Sequence, residues 1–272
     1  KKLDISKKKK LRNLIFDYKP NCIFHLAAET HVDNSIKNSR EFIKSNIIGT
    51  YNLLNIFKEY YENHNKNFKF INISTDEVYG SSKTGSFKES RKYFPNSPYS
   101  ASKASSDMLA RAWHKTFNLP IITTNCSNNF GPYQHKEKLI PKIIKNLLKN
   151  KKIPLYGNGK NMRDWIYVKD HVKILYLVYL KGTIGETYNI GVNCVLSNLE
   201  IVKKLVKIHN KYQNKKKIRF KNSIKFVEDR KGHDFRYAIN TNKIKKLGIL
   251  KNIKKIDVNL NKTYKWYFQN NY

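Results

Sequence analysis

Three consecutive residues, Thr75-Asp76-Glu77, follow the apolar run KFINIS at 69–74. Neighbouring carboxylates in unequal surroundings can divide the work of an elimination, one as general base and one as general acid, because environment drives their pKa values apart. The same residues also suit a plain turn, since short acidic residues end strands and cap helices. A second pair, Tyr99 and Lys103, stands four apart in Y-S-A-S-K and so shares one helix face. An ammonium beside a phenol favours the phenolate, which would let Tyr99 act as a base toward a hydroxyl while hydride leaves for a cofactor. Alone, such a pair is equally a solvated helix face, because 46 of the 54 basic residues in this 272-residue chain are lysine.

What must position these groups is a series of short apolar strands and longer helices. LRNLIFDYK at 11–19 has helical spacing, with Leu11, Leu14, Ile15 and Tyr18 on one face, and Pro20-Asn21 ends it. CIFHLAA follows as a buried, strand-like run. REFIKSNIIGTYNLLNIFKEYYEN at 40–63 reads as one long helix, FKFINIS as a second strand, 81–98 as a polar loop, YSASKASSDMLARAWHKTF as a second long helix, and IITTNC as a third strand. Strands alternating with helices predict parallel crossovers and a doubly wound α/β sheet, whose ligands bind beyond the carboxyl ends of the strands. HLAAET, STDEVYG and NCSNNFGP stand at those three ends. Beyond residue 131 the pattern is less regular, with a helix in LIPKIIKNLLKN, the stretch PLYGNGKNMRDWIYVKD, a further helix, and a last helix at 258–270. No internal repeat is present.

Composition sets the outer bounds. No apolar stretch approaches the roughly 20 residues of a membrane span; ILYLVYL at 174–180 is bounded by lysines. KKLDISKKKK has no apolar segment behind it and does not read as a signal peptide, so the cytoplasm is the expected location. Cys22, Cys126 and Cys194 are scattered singly and read as buried free thiols. The eight histidines form no HxxxH or HxH, so no metal site is expected. The net charge of +34 raises the question of nucleic acid. The charge is spread as lysine along the whole chain, including KKKK at 7–10 and NKKKIRFK at 214–221, while the arginine that reads phosphates and guanines is scarce. No nucleic-acid partner is expected.

The blocks HLAAETHVDNS, FIKSNIIGTYNLL, STDEVYG, NSPYSASKASSDMLARAW, NCSNNFGPYQHKEKLIPKII, NGKNMRDWIYVKDH, GETYNIGV and EDRKGHDFRYAIN carry a resemblance over nearly the whole chain. In order and spacing the chain resembles the extended short-chain dehydrogenase/reductases, and most closely their dTDP-glucose 4,6-dehydratase family. The Thr-Asp-Glu triplet discriminates most, since the related 4-epimerases carry small or hydroxyl residues in place of the two acids. The resemblance implies an NAD-binding Rossmann domain over 1–130 together with about 161–185, and a smaller α/β nucleotide-sugar domain over 131–160 and 186–272. It implies that Tyr99 deprotonates the glucose 4-hydroxyl as C4 is oxidised. Glu77 then removes the C5 proton, Asp76 protonates the departing 6-hydroxyl, hydride returns to C6, and Thr75 bonds the 4-oxygen.

By the same resemblance Leu26, Ala27, Ala28 and Glu29 lie along NAD, as do Ser45, Tyr99, Lys103 and Asn129. Thr30, Thr75, Asn128, Lys138 and Leu139 match substrate contacts. So do Pro154, Leu155, Tyr156, Arg163 and Asn198, and the loop Asp229, Arg230, Lys231, Gly232 and His233. Arg163, Arg230 and Lys138 suit a diphosphate, because cationic donors bind phosphate oxygens well; Arg163 could equally pair with Asp164. A homodimer built on the helices at 41–62 and 99–117 is also implied. The chain departs from the family in two places. Lys231 stands where proline is usual. No strand, Gly-rich turn and helix opens the chain, and Gly182, Gly185 and Gly191 do not supply one, because Tyr188 stands where a further glycine is needed and a strand-like run follows. On the family pattern about 50 residues, one and a half βαβ units, belong before Lys1. A Rossmann domain lacking its first βαβ is expected to hold NAD weakly and to leave apolar sheet edges exposed. The readings set against the dehydratase are a UDP-glucose 4,6-dehydratase and a non-catalytic nucleotide-sugar binder.

Overall fold

Each of the three apolar runs becomes a parallel strand, and each crossover between them is helical, as parallel pairing requires. The computed structural model describes residues 1–213, 217–250 and 253–270, so the basic run at 214–221 lies partly outside the described residues, while Lys7 to Lys10 are exposed. In chain order the elements are α1 (Lys8–Tyr18), β1 (Cys22–His25), α2 (Val32–Lys37), α3 (Arg40–Phe42), α4 (Gly49–Asn63), β2 (Lys69–Thr75), α5 (Pro98–Phe117), β3 (Ile121–Cys126) and β4 (Asn128–Phe130). They continue with α6 (Leu139–Leu148), β5 (Ile153–Tyr156), β6 (Met162–Tyr167), α7 (Val168–Lys181), β7 (Thr187–Ile190) and β8 (Val195–Ser197). The last are α8 (Asn198–Tyr212), β9 (Ile224–Val227), α9 (Asn242–Lys246) and α10 (Ile256–Gln269). Among the described residues no helix is long and apolar enough to cross a membrane.

The chain forms two compact units. The first comprises 1–80, 87–126 and 175–190. Its sheet has the order β1-β2-β3-β7, parallel throughout. Ile23, Phe70 and Ile121 pack on one face against Leu53, Phe57 and Ala110 of α4 and α5. On the other face Phe24 meets Tyr179 of α7, and Gly182 lies over Ile122. Helices on both faces make the sheet doubly wound and explain why its strands read as apolar runs instead of alternating. β1 is an edge strand of this sheet, and Phe24 and the adjacent Leu26 are exposed.

Local sequence fixes the two long helices. Ser97 and Ser100 form a reciprocal capping box with Pro98 in the first turn, which starts α5, and Asn118 in a left-handed conformation (φ 50°) ends it. The expected single helix over 40–63 is continuous in direction but not in winding, for Ile43–Ile48 form a π-helical stretch between α3 and α4. Asn46 in that stretch accepts from the Glu29 amide at 2.8 Å and donates to the Glu29 carbonyl at 3.0 Å and to Ser102 Oγ on α5 at 2.9 Å.

The second unit comprises 81–86, 127–174 and 191–272. It contains the β4-β6-β8 sheet and the parallel pair β5-β9. Its core is built from Ile143, Ile144 and Leu147 of α6, Val202 and Leu205 of α8, and Leu260 and Tyr264 of α10. The boundaries differ from those expected. Residues 161–174 belong here because β6 pairs with β4 and β8, whereas 186–190 belong to the first unit because β7 pairs with β3. Residues 81–86 join the second unit through Ser82 N donating to the Arg236 carbonyl and Phe235 N donating to Ser81 Oγ. Gly182 and Gly185 form the turn from α7 into β7, where the Gly185 amide donates to the Ile121 carbonyl at 2.7 Å.

Candidate active site

β2 ends at Thr75, which caps a short 3-10 turn over Asp76–Tyr79 by accepting from the Glu77 amide at 3.3 Å. The turn reading of the acidic pair is therefore correct as local structure, and it fixes where the acids point. Asp76 is buried and Glu77 half-buried, so their surroundings are unequal. The turn closes at Gly80, whose φ of 75° suits glycine and where a Cβ would run into the Phe94 carbonyl oxygen.

Tyr99 and Lys103 stand on the first turns of α5, both buried. The Tyr99 amide donates to Ser35 Oγ at 3.2 Å, and Ser102 Oγ donates to the Tyr99 carbonyl at 2.7 Å. The solvated-face alternative for this pair is thus overturned. So is one expectation about its chemistry: in the unliganded protein the Tyr99 phenol is raised, not lowered. Burial, then the Glu77 carboxylate, push it well above its ordinary value, while Cys126 and Asp76 add to the rise and a hydrogen bond with Thr75 restrains it. Lys103 instead donates to the Ile73 carbonyl at 2.8 Å. Burial pulls its pKa down, and Asp107 and Cys126 hold it up. Thr75, Asp76, Glu77 and Tyr99 are therefore near enough to act on one another, with Lys103 one helical turn beyond.

The residues expected along the cofactor are in two places. Leu26, Ala27 and Glu29 are exposed and Ala28 half-exposed, in the loop after β1, where Asn46 holds Glu29 by both backbone groups. Thr30 follows, exposed, and Ser45 is half-buried in the π-helical stretch. Small side chains at Ala27 and Ala28, backbone exposed at the carboxyl end of a parallel strand, and the Tyr99–Lys103 pair in the same unit fit a dinucleotide. Asn129 is in the second unit, on β4, donating to the Ser127 carbonyl at 3.1 Å.

In the second unit Asn128 opens β4, Lys138 and Leu139 start α6, and buried Asn198 begins α8 behind a Ser197–Glu200 capping box. The pairing of β5 with β9 brings Pro154, Leu155 and Tyr156 beside the loop from Asp229. There the Arg230 guanidinium lies 5.2 Å from the Tyr156 ring centre, and His233 Nδ1 is 2.6 Å from Asp229 Oδ1. Lys231 and Gly232 are exposed. Burial lowers the His233 pKa, partly countered by Asp229. Arg163 donates to the Met162, Asp234 and Phe235 carbonyls at 2.8, 2.9 and 3.2 Å and stacks on Tyr237, so it is not a partner of Asp164. As the next residue of β6, Asp164 faces the other way and accepts from the Val192 and Cys194 amides at 3.2 and 2.6 Å.

Sequence reading missed a polar cluster behind Tyr99 and Lys103. Asn72 Nδ2 donates to Asp107 Oδ1 at 2.8 Å, and Asn125 Nδ2 donates to the Tyr79 and Tyr93 hydroxyls at 2.8 and 3.1 Å. The signal was a polar residue inside each buried strand, Asn72 in FKFINIS and Asn125 in IITTNC, together with an aspartate one turn after Lys103. All three cysteines are free and half-buried, and among the described residues no cluster of His, Cys, Asp or Glu could hold a metal.

The family profile of the GDP-mannose 4,6 dehydratases matches residues 1–254. A dTDP-glucose 4,6-dehydratase of Haemophilus influenzae is 46% identical over 279 residues, covering 99% of this chain and 82% of its own. The dTDP-glucose 4,6-dehydratase of Streptomyces venezuelae, solved with NAD bound, superposes with a TM-score of 0.89 at 40% identity, over 98% of this chain and 79% of that one. The Bacillus anthracis dTDP-glucose 4,6-dehydratase, also solved with NAD, superposes with a TM-score of 0.86 at 41% identity, over 99% of this chain and 79% of that one. With these likenesses along almost its entire length, the chain belongs to the dTDP-glucose 4,6-dehydratase family of extended, Rossmann-fold short-chain dehydrogenase/reductases.

Proposed function

We propose that this protein is an NAD-dependent hydro-lyase that converts dTDP-glucose to dTDP-4-keto-6-deoxyglucose and water. The observation that carries the reading is the placement of Thr75, Asp76 and Glu77 around the buried Tyr99 phenol, where Glu77 is the charge that acts on it most. Leu26–Glu29 would hold NAD, which would supply a reversible hydride acceptor for the oxidation at C4 and the reduction at C6. Tyr99 takes the proton of the 4-hydroxyl, with Thr75 bonding the same oxygen. A phenol raised by burial and flanking carboxylates releases its own proton only beside positive charge, and Lys103 is the cation one turn away. Once C4 is a ketone, the C5 proton is acidic. Glu77, the more exposed acid, removes it, and the buried Asp76 gives its proton to the 6-hydroxyl, which leaves as water. No net oxidation remains.

In the second unit, Arg230 and Lys138 supply charge for the diphosphate, and Tyr156 and His233 flank Arg230. Arg163 serves the same loop indirectly, by bonding its backbone carbonyls. A cytoplasmic homodimer belongs to this reading; the exposed apolar side chains Tyr51 of α4 and Met108 and Phe117 of α5 suit a second copy as partner. Incubating the protein with dTDP-glucose, UDP-glucose and GDP-mannose and weighing each product tests it. Loss of one water from dTDP-glucose, without net NADH, is expected. An epimer of unchanged mass, or turnover of UDP-glucose alone, refutes it.

A further inference from the structure

Lys103 and Asp107 lie one turn apart on α5, both buried, and both are held against β2. Lys103 donates to the carbonyl of Ile73, and Asp107 accepts from the side chain of the preceding residue, Asn72. The helix thus sets an ammonium and a carboxylate against consecutive residues of one strand, out of water. A buried ammonium bonded to a single carbonyl is costly, and what keeps such a group ionised is a nearby opposite charge.

The surroundings of the pair leave that task to Asp107. His25 approaches Lys103 from β1, but burial and the lysine itself depress its pKa to about 3, so it is neutral. Cys126 approaches from β3 and, pushed up to about 12 by burial, remains a thiol whose Sγ donates to the Ser74 carbonyl. Asp76 and Glu77 lie toward Cys126 and Tyr99, and Tyr79 and Tyr93 lie on the Asp107 side, with raised pKa values that keep them as neutral phenols. Burial pushes Asp107 up to about 6, and Lys103 is the first of the groups that restrain it, followed by Ser74, Asn72 and Tyr93.

We propose that Asp107 is a positioning residue for the dehydratase reaction: it holds Lys103 as an ammonium, so that positive charge stands beside Tyr99 when the substrate hydroxyl gives up its proton. The proposal rests on the dehydratase reading for its kinetic consequence and is independent of it for its energetic one. In Asp107→Asn, whose side chain has the same shape, kcat measured from about pH 6 to about pH 10 has its alkaline limb moved down by about one pH unit, while KM for dTDP-glucose holds. A uniform drop in kcat with the limb in place overturns the proposal, because it leaves Asp107 only a packing role. Thermal unfolding gives the second arm. Asp107→Asn strands a buried ammonium, whereas Lys103→Met with Asp107→Asn removes both charges, so the double variant melts higher than Asp107→Asn alone. A double variant that melts no higher, or fails to fold where Asp107→Asn also fails, overturns the proposal. A protein that forms no ketosugar at all refutes the dehydratase reading, while the melting comparison still decides the coupling.

Discussion

The Thr75–Glu77, Tyr99 and Lys103 group of the first unit and the Asp229–Gly232 loop of the second are held in opposite ways. In the first, Thr75, Asp76, Tyr99 and Lys103 are buried on a strand end and on the opening turns of a capped helix, and backbone or hydroxyl groups fix them on several sides. In the second, Asp229, Lys231 and Gly232 are exposed on a loop after a four-residue strand, and Arg230 rests on a tyrosine ring. Proton transfer needs its groups held within a fraction of an ångström of the reacting atoms, whereas grasping a diphosphate needs charge and reach. Burial also gives the protein more control over a group's acidity than exposure does.

The contrast predicts a gradient of effects. Tyr99→Phe should lower kcat about a thousandfold, with neither an NADH transient nor ketosugar in a single turnover, since it removes the group proposed to take the 4-hydroxyl proton. An equal loss from a change in the Asp229–His233 loop would erase the contrast. Glu77→Gln should slow water loss about a hundredfold, while a slow C4 oxidation, read as NADH absorbance, persists. If both steps disappear together, Glu77 acts on Tyr99 and not on C5.

Burial in the first unit also makes it sensitive to acid. The His25 pKa of about 3 lies below its unfolded value near 6.5, so the unfolded chain takes the proton first as pH falls. Its contribution is complete above about pH 6.5 and is lost on the way down; the raised Asp107, which binds its proton more readily folded, offsets part of this between about 6 and 3.8. His25→Gln should therefore recover about 2 kcal/mol of the stability lost between pH 7 and pH 5, measured by urea unfolding. Stability curves that stay parallel would place the acid sensitivity elsewhere, His171 with its pKa near 4 being the next group to change. The smallest effect belongs to the exposed loop: Arg230→Ala should raise KM about tenfold with kcat unchanged. A fall in kcat instead would make that loop part of the chemistry.

How much of this was legible follows from how each feature is encoded. The parallel strands were plain in the sequence because burial on both faces forces runs such as IITTNC, and α5 was plain because its capping and stop residues are local. The unit boundaries were not, because the pairing of β6 with β4 and of β7 with β3 joins residues far apart in the chain. Spacing put Tyr99 and Lys103 on one face but could not say that Lys103 bonds the Ile73 carbonyl, or that burial and Glu77 raise the phenol. For the same reason Arg163 looked like a partner of Asp164, although neighbours on a strand point apart.

The π-helical stretch at 43–48 has a consequence for how this chain can change length. Wound that way, the stretch delivers Asn46 to the Glu29 backbone and to Ser102 at once, joining the loop after β1 to the helix that carries Tyr99. Removing one residue there would let the stretch rewind as α-helix and change the direction of Asn46 relative to the residues on either side. Asn46 would then be turned from one of its two partners, although every side chain in the catalytic group survived. This single turn therefore depends on residue count as much as on residue type.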